Sequence, residues 1–402
     1  MFIRKSVFII LLAVALILGG VGILFAQRVG VSNSTLLTEE EYNEYKYLKT
    51  TYSKLDDIKK FVEDYYYVDV NDKDLMEAAY SGLISGLNDP YSEYVSAEDY
   101  EEYISSMLGE YSGVGMSFYG NDDDDLEVVK VYRNSPAQKA GMMPGDIIIK
   151  VDGKEYAGSQ SSEAATNIRG KEGTSVEITY VRGGAENTVT MVRAAIQVET
   201  VEYEMLEDSI GYIYIDGFES ATANDFEAAL NDLTQKGAKG LVIDLRNNGG
   251  GLVDISIKVA DLLMDQGTVV YTEDHNKKRD YYTTGPGRTE LPYVVLVNEY
   301  TASASEILSA GIQDNNEGII IGTKTYGKGI IQSIYPSSMV QSSGSWDDGS
   351  AVKITIMQYF SPSGKTIHKV GITPDYVVEL VEGDETDYQL QKAIEVLKTE
   401  VK

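Results

Sequence analysis

Ser303 stands in the run Thr301-Ala302-Ser303-Ala304-Ser305-Glu306, directly after an apolar stretch and where a helical pattern begins. Its place supports two kinds of chemistry. Ser303 and Glu306 have the S-x-x-E spacing of a capping box, in which a hydroxyl and a carboxylate satisfy the orphan N–H groups of a helix start. A serine there also faces free N–H donors and partial positive charge, which favour the oxyanion that develops during acyl transfer. Such a nucleophile needs a base. The chain has no cysteine, which removes thiolate nucleophiles, disulfides and Cys-based metal sites, and only His275 and His368 as imidazoles. Both histidines lie among charged residues that read as solvent-facing loops, which argues against a Ser-His-Asp arrangement. Lys328, between Gly327 and Gly329, is the other base available. Flanking glycines permit a tight turn and close approach to a neighbouring site, although a turn lysine is ordinarily solvated.

These residues need a scaffold. Gly240-Leu-Val-Ile-Asp-Leu245 and Pro292-Tyr-Val-Val-Leu-Val297 are unbroken apolar runs, suited to strands buried on both faces, and each leads through a polar turn into a helical pattern. That predicts an α/β core over residues 197–385. The final segment, 386–402, carries a helical stripe of Leu390, Ala393, Ile394, Leu397 and Val401, which must pack either on the core or on a second subunit as a homodimer. Residues 111–196 have a different texture, short β-type runs punctuated by glycine turns, with one short helix starting at Pro136. Residues 30–110 read as helices, with Leu55, Ile58, Phe61 and Val62 at helical spacing and Tyr65, Tyr66 and Tyr67 expected to pack between them. Asn88-Asp89-Pro90 breaks that pattern with turn chemistry.

At the N-terminus, Arg4 and Lys5 precede an uncharged stretch of 22 residues, Ser6 to Gln27. As a helix it is about 33 Å long, enough to span a bilayer. Leu24 stands where signal-peptide cleavage wants a small residue, so residues 1–29 are expected to be a retained anchor. Basic residues before the span and Glu39, Glu40 and Glu41 after it put the short tail in the cytoplasm and the rest outside. The chain's 63 acidic residues against 34 basic ones give a net charge of -29, which argues against nucleic acid as a partner.

The motifs together say more than any one alone. Asp244-Leu-Arg-Asn-Asn-Gly-Gly-Gly251, Thr301 to Ile307, Gly322 to Gly329 with Gln332, and Ser361 to Ile367 with Gly371-Ile-Thr-Pro-Asp375 resemble, in order, those of the carboxyl-terminal processing (tail-specific) peptidases. The resemblance runs from about Thr38 to the C-terminus and includes Gly86-Leu-Asn-Asp-Pro-Tyr-Ser92. It implies a multidomain α+β protein: helical segment, PDZ-like domain at 111–196, and a crotonase-like α/β protease core. In that family the nucleophile lies 25 positions before the lysine, which selects Ser303 over Ser305 as the partner of Lys328. Gln332 matches a glutamine that orients the lysine, and the N–H groups of Gly249 and Ala304 match an oxyanion hole. No metal or organic cofactor is implied. Ser112-Gly-Val-Gly-Met-Ser-Phe118 resembles a PDZ carboxylate-binding loop, which implies that Gly113, Val114, Gly115, Met116 and Phe118 receive the C-terminus of a polypeptide substrate. The competing expectation is a catalytically silent, membrane-tethered PDZ scaffold.

Overall fold

A computed structural model describes residues 38–121, 124–340, 346–379 and 386–400. The expected anchor lies outside them, and among the described residues no helix is long and apolar enough to cross a membrane. The chain forms two compact units that divide after Ala79. In the first, α1 (Glu39–Tyr65) opens with a complete capping box: the Thr38 hydroxyl accepts from the Glu41 N–H at 3.2 Å and the Glu41 carboxylate accepts from the Thr38 N–H at 2.6 Å. Leu55, Ile58 and Phe61 are exposed, and so are Tyr65, Tyr66 and Tyr67. The expected packing of the tyrosines between helices is not realised, because the helix buries none of its residues.

The second unit begins within α2 (Asp72–Ser85). After the Asn88-Asp89-Pro90 turn the chain extends into β1 (Glu93–Val95), then α3 (Tyr100–Met107). A stretch of the segment read as helical is therefore a strand.

Next comes the β-rich domain. Its first and last strands, β2 (Glu110–Gly113) and the later Ala194–Gln197, pair antiparallel with Glu110 opposite Gln197. Between them lie β3 (Met116–Gly120), β4 (Leu126–Val131), α4 (Pro136–Lys139), β5 (Ile147–Val151), β6 (Lys154–Glu155), α5 (Ser161–Ile168), β7 (Ser175–Arg182) and β8 (Ala185–Val192), and β9 is the Ala194–Gln197 strand. The sheet order is β3-β4-β5-β7-β8, which leaves β3 at an edge. Leu126, Val128, Ile148 and Ile178 fill its core. Helix α4 starts as its sequence predicts, with Pro136 in the first turn and the Ser135 hydroxyl accepting from the Gln138 N–H.

The remaining elements are β10 (Val201–Met205), β11 (Ile210–Ile215), α6 (Thr222–Gln235), β12 (Gly240–Asp244), α7 (Val253–Leu263), β13 (Thr268–Asp274), β14 (Arg279–Thr283), β15 (Tyr293–Val297), α8 (Ala304–Asn315), β16 (Ile319–Gly322), β17 (Ile330–Pro336), β18 (Ala351–Phe360), β19 (Tyr376–Val377) and α9 (Tyr388–Glu400). One sheet runs β10-β11-β12-β15-β16-β19, parallel apart from β10. Its two faces explain the unbroken apolar runs. Leu241, Ile243, Val295 and Val297 face the layer of α6, α7 and α8, whereas Val242, Val294 and Leu296 meet Ala393, Val396 and Leu397 of α9. The C-terminal helix thus packs on the core of its own chain. Each such side chain stabilises the layer by roughly 1.5–3 kcal/mol. Arg246 pins α9 further, bonding Asp387 at 2.8 and 2.9 Å while its other contacts go to Asp244. A second sheet, β1-β18-β13-β14 with β17 on β18, lies on the far side of α8. The turns that leave β12, β15 and β16 all emerge at the carboxyl ends of parallel strands, where open α/β sheets place their ligands.

Candidate active site

The turn after β12 and the turn after β15 are wired together. The Asn247 N–H donates to Asn298 Oδ1 at 2.9 Å and the Asn298 amide returns a bond to Asn247 Oδ1 at 2.8 Å. The Ala302 N–H donates to the Asn248 carbonyl at 3.0 Å. Asn248 in turn accepts the Gly250 N–H at 2.8 Å. Gly250, at φ 103°, leaves no room for a side chain: a Cβ would stand 2.7 Å from Cβ of Ser303. Gly249 faces open space. Among the described residues, neither the Gly249 nor the Ala304 N–H donates a hydrogen bond.

Ser303 opens α8 at φ 56°, ψ -118°, a conformation that costs a non-glycine residue on the order of 1–3 kcal/mol and persists only where neighbours enforce it. The expected capping box is half formed. The Glu306 carboxylate accepts the Ser303 N–H at 3.0 Å, but the Ser303 hydroxyl makes no capping bond. Ser305 differs: it is fully buried and its hydroxyl donates to the Asn248 carbonyl at 3.2 Å. Of the two serines, Ser303 is the one whose hydroxyl has no partner among the described residues.

Glu306 reaches across to the turn after β16. Its carboxylate also accepts from the Thr325 hydroxyl at 2.6 Å and from the N–H groups of Gly327 and Lys328, each at 2.8 Å. Burial pushes this carboxyl above its ordinary range, against the pull of those donors. On the carbonyl side, the Tyr359 hydroxyl, fully buried on β18, shares its one proton between the Ser303 carbonyl at 3.0 Å and that of Lys328. Gly329 is fixed by His368, whose backbone N would lie 2.2 Å from an added Cβ.

Lys328 itself is half-buried. Its ammonium lies 4.6 Å from the centroid of the Tyr91 ring and makes no hydrogen bond among the described residues. Burial pushes its pKa down and the Lys353 charge adds to this, with Asp89 and Glu306 opposing. Gln332 does not reach the amine: its Nε2 donates to the Thr355 hydroxyl at 2.9 Å. His368 is half-buried against the lysine turn, not on a solvent-facing loop, because the chain after Ile367 folds back under Gly329. His275 is exposed as expected. In the last turn of α8, Asp314 accepts from the hydroxyls of Ser361 and Ser363 and from Lys365. Burial pushes its carboxyl up, but these donors outweigh it and leave it at about 2.

Three participants escaped the sequence reading. Tyr359 and Thr355 sit in a β-run with no distinguishing pattern, and Tyr91 lies in a quoted motif whose turn chemistry alone says nothing about a lysine 237 positions later.

In the β-rich domain, a groove of about 350 Å³ lies between edge strand β3 and α5, lined by Val114, Gly115, Met116 and Phe118 with Ala165 and Ile168. Val114 and Met116 are nearly buried, so they serve the domain core as well as the groove. Gly113 is not part of its lining; it pairs with Ala194 between β2 and β9.

Comparison with known proteins agrees with this architecture. A model for peptidase family S41 matches residues 209–378, a PDZ domain model matches 112–192, and one for the activating protease CtpB N-terminal domain matches 16–99. The carboxy-terminal processing protease CtpA of Bacillus subtilis (strain 168) is 37% identical over 334 residues, covering 82% of this chain and 70% of that protein. The chain belongs to the carboxyl-terminal processing peptidases. A carboxy-terminal-processing protease of Bartonella bacilliformis is 35% identical over 367 residues, covering 89% of this chain and 81% of that one. In fold, the chain resembles a putative S41 protease from Bacteroides fragilis, with a TM-score of 0.52 at 18% identity, covering 86% of this chain and 97% of that one. As a member of this family the chain is a serine-type peptidase, and the silent-scaffold alternative is set aside.

Proposed function

We propose that the chain is an endopeptidase that cuts polypeptides with Ser303 as nucleophile and Lys328 as general base. The observation that carries this reading is the cross-bracing of an unengaged serine hydroxyl and a half-buried lysine by Glu306 and Tyr359. An ordinary lysine is neutral in only about one molecule in 2,500 at pH 7, so burial and Lys353, which favour the neutral amine, act in the direction a base requires. The neutral Lys328 amine takes the Ser303 hydroxyl proton as the oxygen attacks the substrate carbonyl carbon. The resulting oxyanion is received by the N–H groups of Gly249 and Ala304, donors of a kind worth about 3–4 kcal/mol each in the transition state. The Lys328 ammonium returns the proton to the leaving amine, and water activated by the same amine then hydrolyses the acyl ester. In this reading Gln332 orients the Lys328 amine, as the family resemblance implies, although here its amide is bonded to Thr355.

The PDZ groove is the recognition site in this reading. Glycine-rich backbone near β3 receives a terminal carboxylate, while the free β3 edge pairs with the peptide backbone. The uncharged Ser6–Gln27 stretch would hold the protein in the cell membrane, with the catalytic part outside the cytoplasm. The test incubates a fragment beginning at Val31 with an unfolded protein and its C-terminally amidated counterpart, reading products by mass spectrometry. Ser303→Ala and Lys328→Ala should each abolish products, and the free acid should be cut faster than the amide. Cleavage by either variant at the wild-type rate contradicts the dyad; equal cutting of both substrates contradicts tail recognition.

A further inference from the structure

Lys328 raises a problem that the dyad alone leaves open. A base must shuttle between neutral and charged forms without leaving the site, yet its ammonium has no hydrogen-bond acceptor among the described residues. The nearby carboxylates are otherwise engaged. Glu306, on α8, accepts from three N–H groups and the Thr325 hydroxyl. Asp89, on the loop before β1, accepts the Tyr91 N–H at 3.1 Å and the Ser92 hydroxyl at 2.6 Å. Lys353, on β18, is held by Glu93 at 2.7 Å and by the Tyr103 hydroxyl at 2.8 Å, and presents only repulsion. What touches the ammonium is the Tyr91 ring, 4.6 Å from Nζ to centroid.

We propose that Tyr91 is the positioning residue of the base: its ring face seats the Lys328 ammonium and holds it in the site between proton transfers. The seat is built. Asp89 fixes the backbone of Tyr91, the Ser92 hydroxyl accepts the Thr355 N–H of β18 at 3.1 Å, and β1 continues into antiparallel pairing with β18, Glu93 opposite Lys353. Thr355 is also the residue that holds Gln332, so the seat and the glutamine share one support. Lys328 Nζ stands over the face of the Tyr91 ring. An aromatic face attracts a cation more strongly than a neutral amine. Tyr91 therefore opposes the neutralising effect of burial and Lys353. It trades some neutral population for a fixed position of the amine.

This inference rests on Lys328 being the base, but its decisive test does not need activity. In the detergent-solubilised full chain, the titration of Lys328 is read by competitive acetylation across pH, with peptide mass spectrometry. Tyr91→Leu and Tyr91→Met remove the aromatic face while keeping an apolar neighbour, and should lower the Lys328 midpoint by about half to one unit, a roughly three- to tenfold rise in neutral amine at fixed pH. Tyr91→Phe keeps the face and should leave the midpoint in place. The kcat–pH profiles should show the same downward shift in the Leu and Met variants, with a lower plateau because the amine is no longer held. An unmoved or raised midpoint in Leu and Met overturns the proposal, as does a Phe variant that shifts as far as they do. If Leu fails to fold by circular dichroism, Met carries the comparison. Undiminished cleavage by Lys328→Ala would instead remove the base assignment, leaving the titration result to stand or fall alone.

Discussion

The Tyr359 hydroxyl bonds the carbonyl of Ser303 at 3.0 Å and reaches that of Lys328 as well, while Glu306 collects the N–H groups of the same two residues at 3.0 and 2.8 Å. Ser303 and Lys328, the proposed nucleophile and base on segments separated by β16, are thus clasped on both the amide and the carbonyl side. Tyr359→Phe removes one clasp without changing shape. The lost, shared hydrogen bond should cost about 1 kcal/mol of stability, a small fall in Tm. Misplacement of reacting groups by fractions of an ångström should lower kcat about ten- to a hundredfold with KM little changed. Steady-state kinetics beside thermal melts check both.

The two glycines of the β12 turn should behave oppositely. Gly250→Ala drives a methyl into Ser303, 2.7 Å from its Cβ and at φ 103°, and should abolish activity with a stability loss of about 1–3 kcal/mol. Gly249→Ala meets nothing within 4 Å and should fold normally, its N–H still present. Melting curves and peptide cleavage for both variants test this contrast.

The pH dependence has a definite sign. In the proposed mechanism the neutral amine is the active form, and burial with Lys353 depresses the Lys328 pKa, so kcat/KM should rise with pH through a midpoint below the ordinary lysine value of about 10.4. His275→Gln and His368→Gln should keep that midpoint. His368 is the sharper control, since it packs against Gly329 and its own pKa is lowered by burial and Lys369. Disappearance of the limb in His368→Gln would move the base to the imidazole.

Much of this site was legible because its motifs are short and local. The apolar runs at 240–245 and 292–297 read directly as buried strands, and they are β12 and β15. Ser303 and Lys328 were reachable through spacing and family resemblance. Side chains that act across the fold were not. Tyr359 points from β18, a strand whose alternation is obscured by partial burial on both faces, and nothing local marks its hydroxyl as the clasp. Glu306 read as a cap, and half of that reading holds; its other bonds, to Thr325, Gly327 and Lys328, depend on the β16 turn arriving beside α8. The helical stripe of α1 promised packing that is not found among the described residues.

Ser305 offers a negative control inside the same motif. Its buried hydroxyl holds the Asn248 carbonyl, so Ser305→Ala should cost about 1 kcal/mol of stability and leave cleavage within about threefold of wild type.

The dyad itself is tested most directly by covalent trapping. The folded chain is treated with a fluorophosphonate, which phosphonylates activated serines, and the modified residue is located by peptide mass spectrometry. The account predicts a single adduct on Ser303, formed faster as pH rises, and at least about a thousandfold slower in Lys328→Ala. An adduct on Ser305, or labelling of Ser303 at an undiminished rate in Lys328→Ala, would contradict it.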